Sequence, residues 1–355
     1  MRSIFRMVAM CSVATIIPLS AAHAQTAAPA WSATVGDGSK SGSEVVTYQP
    51  LAKAAKKWQI CILFPHMKDT IWLAVDYGII EEAKRLGVSA TLYQAGGYEN
   101  LPKQLSQFDD CMAGGYDAII AGAISEAGLA KKFAEAKADG KPVIAVLNPI
   151  DKAETAGKVF SDNVVMGRQT GNYLAKYMNG KPANVVAFPG PAGSGWAEQF
   201  DDGFKQALAG HSNLKLLAEK FGDTGVSVQL GLVQNAMQAF PDMNVIWGTA
   251  ITAEAAIGAI AEAGRPKMLI ISEYENQAML DALRTGKILA FATQFPVLQG
   301  RIAVDMAVRA LEHKPVLAFA MPQPIMITAD TLANIDLSTV LAPAGFEAVY
   351  SVGAH

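Results

Sequence analysis

Three aromatic residues stand just beyond short apolar runs that read as strands. Trp72 follows Ile60 to Phe64 across the loop Phe64-Pro-His-Met-Lys-Asp-Thr-Ile71, Tyr98 follows Gln94-Ala-Gly-Gly97, and Tyr274 follows Ile271-Ser-Glu273. Rings gathered at strand ends could enclose a quaternary ammonium centre, because a cation is attracted to an aromatic face. Gln294 follows Phe291-Ala-Thr293 in the same manner, and Asp162 with Asn163 opens a helical run. These polar groups offer hydrogen bonds to a small solute. Each residue also has a plainer use: the aromatics as core packing under their loops, Asp162 and Asn163 as helix N-caps.

Other chemistries find less support. Gly190-Pro-Ala-Gly-Ser-Gly195 lies between a strand and a helix, where free amides can bind an anion. It lacks the Lys-Ser/Thr of a P-loop and the G-x-G-x-x-G spacing, so it reads as a tight turn bordering a cleft. His66, His211, His313 and His355 occur in unrelated contexts, without H-E-x-x-H or G-x-S-x-G motifs. The expectation is a protein that binds without catalysis and without a cofactor or metal.

The elements that must position these residues alternate. Apolar β-branched runs predict strands near 59–64, 89–94, 117–121 and 142–147, with helices near 71–86, 100–113 and 127–138 between them. The rhythm resumes with strands near 184–189, 214–219, 244–248, 267–272 and 288–292. Helices near 164–179, 194–209, 226–239, 252–263 and 275–284 accompany them, and a helix near 297–312 and a strand near 323–328 follow. Roughly nine or ten βα units exceed what one open sheet normally holds. A closed eight-unit barrel is the competing solution, but two doubly wound parallel-sheet lobes with a ligand cleft between them fit the count better.

Composition bounds the setting. The chain has 355 residues, 51% of them hydrophobic, enough for two packed domains. Residues 1–24 carry Arg2 and Arg6, an apolar core from Met7 to Leu19 and a small-x-small end at Ala22-His-Ala24, the pattern of a cleavable signal peptide. Its loss takes the formal charge from -3 to -5. That balance argues against a nucleic-acid partner, and no later run is long enough for a membrane span, so a periplasmic protein is expected. Residues 25–57, rich in Ala, Ser, Thr and Gly, read as an extended arm. Cys61 and Cys111 remain after export, as a disulfide candidate or as two buried thiols.

The pattern of units resembles type I periplasmic binding proteins of the ribose-binding kind, in which three strands cross between the lobes. Ser161 to Gly167 and Ala292 to Pro296 are similar to their crossover segments. A closer resemblance is to the TorT family, periplasmic proteins that bind trimethylamine N-oxide and report it to the sensor histidine kinase TorS. It is carried by Trp58-Gln-Ile-Cys61, Lys68-Asp-Thr-Ile-Trp72, Gln94-Ala-Gly-Gly-Tyr98, Asp110-Cys111, Phe188-Pro-Gly-Pro191, Gly248 to Ala256 and Ala342 to Tyr350.

The resemblance implies the type I fold with a three-strand hinge. The lobes would be 58–161 with 295–320 and 162–294 with 321–355. It strengthens the Cys61–Cys111 pairing and implies a TorS-like kinase as partner. It also implies that Trp72, Tyr98 and Tyr274 wall in the methylated nitrogen, with Asp69 close by. The chain departs from the family at Ile71, where a Tyr is usual, and at Ser161-Asp-Asn163, where a Trp-containing segment is usual. The expected cage is therefore one wall short, and Asn163 offers hydrogen bonds in its place.

Overall fold

The computed structural model describes residues 30–37 and 44–353. The signal peptide expected at 1–24 and the start of the arm lie outside them.

The arm contributes β1 (Ala33–Gly36) and β2 (Val45–Tyr48), an antiparallel hairpin. Then follow β3 (Gln59–Phe64), α1 (Ile71–Leu86), β4 (Ser89–Gln94), α2 (Leu101–Ala113), β5 (Ala118–Ala121), α3 (Glu126–Ala138), β6 (Val143–Val146) and β7 (Gly157–Val159). The second set comprises α4 (Asn163–Met178), β8 (Ala183–Phe188), α5 (Trp196–Leu208), β9 (Leu214–Glu219), α6 (Val226–Ala239), β10 (Val245–Gly248), α7 (Ala250–Glu262), β11 (Leu269–Ser272), α8 (Gln277–Arg284) and β12 (Ala290–Thr293). The chain ends with α9 (Pro296–Leu311), β13 (Phe319–Pro322), β14 (Ile325–Thr328) and β15 (Ser351–Val352).

Two sheets result. The first runs β15-β4-β3-β5-β6-β7-β13-β1-β2 and the second β14-β12-β11-β10-β8-β9. The inner strands of both are parallel. Such strands are buried on both faces, and alternate side chains of β3 show why. Ile60, Ile62 and Phe64 pack with the core that includes α1 and α9, whereas Cys61 and Leu63 pack toward α2 and α3 with Phe108 and Phe133. Cys61 and Cys111 form a disulfide across that second layer, with Cα atoms 5.8 Å apart, which settles the thiol alternative.

Three short crossings form the hinge between the lobes, and a fourth, longer one follows β14: the short ones are Phe160 to Asp162 after β7, Gln294 and Phe295 after β12, and Gln323 and Pro324 between β13 and β14. The buried Ser161 hydroxyl lies 3.2 Å from the Gln294 carbonyl in the second crossing and 2.9 Å from that of Pro322, the residue that leads into the third. Glu275 holds the second crossing. Its Oε1 accepts from the Thr293 hydroxyl at 2.6 Å, Gln294 N at 3.0 Å and Phe295 N at 3.2 Å, where Phe295 sits at φ 59°.

The sequence expectations for the termini need correction. The arm is not a free extension. Its β1 pairs with β13, Trp31 Nε1 donates to Glu82 at 2.9 Å and Leu51 N donates to Asp305 at 2.7 Å. At the other end, residues 321–355 do not stay with the second sheet. Residues 329–350 cross back, Val349 N donates to Asp76 at 2.8 Å and β15 pairs antiparallel with β4. Short segments such as β7, β13 and β15 carry too few residues for a period to show.

Candidate functional site

The carboxyl ends of the parallel strands of both sheets face one another, the usual place for ligands in open α/β folds. A cavity of about 350 Å3, its open mouth included, lies there. Asp69, Trp72, Tyr98, Asn163, Tyr274 and Gln294, the residues singled out from sequence, all line it. His66, Asn148, Trp196, Phe200 and Thr224 line it as well and were not foreseen.

The aromatic wall is built from both lobes. Trp72, near the start of α1, is 2% exposed and packs on Phe64 at 4.6 Å between ring centroids. Core packing and cavity lining are thus one role for this residue. Trp196 opens α5 at the matching place in the second lobe. It meets Tyr274 edge to face at 6.1 Å and Tyr98 at 5.8 Å. Each indole lies against a glycine that follows a strand. A Cβ on Gly122 would fall 2.5 Å from Trp72, and one on Gly190 would fall 2.4 Å from Trp196. Gly190 also has φ 113°, which a side chain would strain. No aromatic lines the cavity from Ser161 to Asn163, and Trp196 adds an indole to the lining from another element. The signal was an aromatic at a helix start beyond a glycine-rich turn, the same placement as Trp72.

Polar contacts tie the lobes across the cavity. Tyr274 donates its hydroxyl to Asp69 at 2.7 Å, and Ile71 N donates to the other carboxylate oxygen at 3.1 Å. The Tyr98 oxygen accepts from Trp196 Nε1 and from Asn148 Nδ2, both at 2.9 Å. His66 Nδ1 accepts from Lys68 N at 3.2 Å, so Nε2 carries the hydrogen and meets the Thr224 hydroxyl at 3.0 Å. At the mouth, Lys68 pairs with Asp223 at 3.1 Å and Gln199 donates to Asp151 at 3.2 Å.

Burial sets the electrostatics. It raises the Asp69 carboxyl to about 6, with the Tyr274 hydrogen bond pulling the other way. It lowers His66 to about 4, so the imidazole is neutral near pH 7. Burial also pushes the Tyr98 and Tyr274 hydroxyls up, keeping both protonated. Asp69 is then the charged group on the wall. Asn163 caps nothing itself, because Asp162 accepts from Val165 N at 2.9 Å as the helix cap. Asn163 Nδ2 donates to Gln199 at 3.1 Å while its buried Oδ1 has no partner.

The Gly190 to Gly195 turn borders the site as expected. The amides of Gly193 and Gly195 donate to Glu198 at 2.6 and 2.9 Å, so the anion they attract is the chain's own carboxylate. Among the described residues, no group of three His, Cys, Asp or Glu side chains could hold a metal, and no helix is long and apolar enough to cross a membrane.

Two α/β lobes on three short crossings, closing over one aromatic and polar cavity, define a periplasmic binding protein. The chain belongs to that family: residues 60–315 match the periplasmic binding protein domain. Within it the chain is TorT-like. It is 33% identical over 300 residues to Periplasmic protein TorT of Escherichia coli K12, covering 84% of this chain and 86% of that protein. The structure of the TorS sensor domain–TorT complex in the presence of TMAO, trimethylamine N-oxide, aligns with a TM-score of 0.74 at 28% identity. It covers 82% of this chain and 99% of that one. An ABC transporter solute binding protein from Bradyrhizobium sp. BTAi1, with bound bis-tris, aligns with a TM-score of 0.76 at 43% identity, over 90% of this chain and 98% of that one.

Proposed function

We propose that this chain is exported to the periplasm, the signal peptide ending near Ala24, and senses a compact solute with a methylated nitrogen. Trimethylamine N-oxide is the best candidate, and the signal passes to the periplasmic domain of a TorS-like membrane histidine kinase. The observation that carries this reading is the convergence of four aromatic rings, Trp72 and Tyr98 from one lobe and Trp196 and Tyr274 from the other, on one small cavity. Such a cage suits a methylated nitrogen by cation–π attraction. The relatives support the partner, since TorT is seen with the TorS sensor domain.

The ligand acts by favouring the closed form, because only a difference in affinity between open and closed forms shifts their populations. No bond is made or broken in this reading. A solute of about five heavy atoms is limited to about -7.5 kcal/mol, a Kd of a few μM. Calorimetric titration of the protein with trimethylamine N-oxide tests the ligand, and no heat at millimolar concentration refutes it. Capture of a kinase sensor domain with and without ligand tests the partner.

A second reading is substrate binding for an ABC importer of a sugar or polyol. Asn163 and Gln294 favour it, since buried polar groups reward hydroxyls that pair with them, and so does the Bradyrhizobium relative. Tight binding of a pentose, hexose or inositol would select it over sensing.

A further inference from the structure

A second cavity lies on the first lobe, away from the cleft. Asp117, Pro142, Ala156 and Ala318 border it, each one residue before β5, β6, β7 or β13, so it opens at the amino ends of those strands while the interlobe cavity sits at carboxyl ends. It measures about 1850 Å3, its open mouth included, and shares no lining residue with the interlobe cavity. Phe133 of α3, Val143 of β6 and Phe319 of β13 give it apolar surface.

One lining residue breaks the apolar pattern. Lys158 stands in the middle of β7, in register with Ala145 of β6 and Phe319 of β13, and is 8% exposed. Strands inside a parallel sheet normally carry apolar side chains at such positions. Among the described residues its ammonium has no ion-pair partner. It donates to the Asp151 carbonyl at 3.3 Å and lies 5.0 Å from the centre of the Phe319 ring. The carboxylates whose charge reaches it are engaged elsewhere: Glu126 accepts from the amides of Lys152 and Ala153, and Asp151 accepts from Gln199. An ammonium carries three donors, so this one keeps capacity for a ligand. Burial lowers its pKa while Glu126 and Asp151 pull the other way, and a bound anion would hold it charged.

The surrounding charge points the same way. Lys137, Lys141, Lys152 and Lys158 line the cavity against Asp117 and Glu154, on a chain whose formal net charge is -3. Glu154 is paired with Lys137, and Asp117 accepts from Gln59 N at 2.8 Å. The lining is cationic on an acidic protein.

We propose that this cavity binds an amphiphilic organic anion, its carboxylate, phosphate or sulfonate head at Lys158 and its apolar body against Phe133, Val143 and Phe319. The site is separate from the interlobe cavity, and the inference does not depend on what that cavity binds.

The test is calorimetric titration of the purified protein at pH 7.5 with octanoate and octylammonium, which share a chain and differ in charge. Octanoate is expected to bind at least about tenfold tighter, the margin that a hydrogen bond to a charged group supplies. Lys158→Met keeps the apolar stem and removes the charge, so it should weaken octanoate binding about tenfold or more. Its melting temperature and circular dichroism establish that it is folded. Trp196→Ala, which alters the interlobe cavity, should leave octanoate affinity within about twofold, as distant sites do. Equal or tighter binding of octylammonium, no heat from octanoate at millimolar concentration, or unchanged octanoate affinity in the folded Lys158→Met variant overturns the inference. Binding of a polyglutamate peptide without octanoate also overturns it, in favour of an acidic protein segment. Each of these results leaves the sensing proposal standing.

Discussion

Tyr274 of the second lobe donates its hydroxyl to Asp69 of the first at 2.7 Å, in a setting where Asp69 is 2% and Tyr274 4% exposed. The bond is both part of the cavity wall and a tie across the cleft. A hydrogen bond to a charged group is worth about 1.5–3 kcal/mol. Tyr274→Phe keeps the ring and removes the tie, so the closed form should lose ground. Ligand affinity is expected to fall at least about tenfold, on that energy scale. Small-angle scattering of the ligand-free variant should show a larger radius of gyration. An unchanged radius and affinity would mean that the bond does not contribute to closure.

Gly190→Ala should damage the site more than the fold. The added methyl meets Trp196 at 2.4 Å on a backbone at φ 113°, so the indole must leave its place beside Tyr98 and Tyr274. Strain of this kind costs about 1–3 kcal/mol, a small part of a domain's total folding energy. Ligand binding should weaken at least about tenfold if the lost ring supplies 1.4 kcal/mol or more. A variant that binds normally would show that Trp196 is not a wall of the site.

Stability should increase on mild acidification. Burial raises Asp69 to about 6, Asp76 to about 7 and Glu275 to about 7, above their unfolded values of 3.8, 3.8 and 4.5. Between the unfolded and folded values the native protein holds protons that the unfolded chain has released. Stability therefore falls as pH rises from about 4 to 7. His66 opposes this. Its folded value of about 4 means that the unfolded chain alone takes up a proton below about 6.5, so its contribution falls as pH drops toward 4. Three carboxyls outweigh one imidazole, and the melting temperature should rise from pH 8 to about pH 5.

Glu275→Gln isolates one contributor to that profile. The amide oxygen can still accept from Thr293, Gln294 and Phe295, while the titration disappears. The profile should flatten by an amount on the order of 3 kcal/mol across its range. Parallel profiles for the variant and the parent would remove Glu275 from the account.

Reduction of Cys61–Cys111 should cost stability and spare binding. The bond closes a separation of 50 residues, worth roughly 4 kcal/mol in chain entropy. It joins the interior of β3 to α2, in the layer with Phe108 and Phe133, and neither cysteine lines the cavity. Thermal melts with and without reductant should separate by several degrees, while ligand affinity at 25 °C stays within about threefold.

Much of this was legible in the sequence, for identifiable reasons. Parallel strands buried on both faces read as apolar runs, so β3, β5, β6, β8 and β10 stood out, and amphipathic helices between them fixed the α/β class. The residues bordering those runs followed, because the chain must expose its loops at the strand ends. Trp196 escaped because its loop was read for phosphate chemistry. His66 and Asn148 escaped because a lone polar residue in a loop carries no period or motif. The return of β15 to β4 could not be read at all: pairing of two residues across about 260 positions leaves no local trace.

That return has a practical side. The hairpin β1–β2 occupies one edge of the first sheet and β15 the other, so both ends of the described chain ride on the same lobe. Fluorophores attached on β2 and beside β15 would report an unchanging distance whether the cleft is open or shut. A label that reads closure belongs on the second lobe, for example on the exposed side of α6 near Ser227, paired with either of those two strands. Likewise, tethering the protein through the β1–β2 hairpin or β15 holds the first lobe still and leaves the second as the moving part.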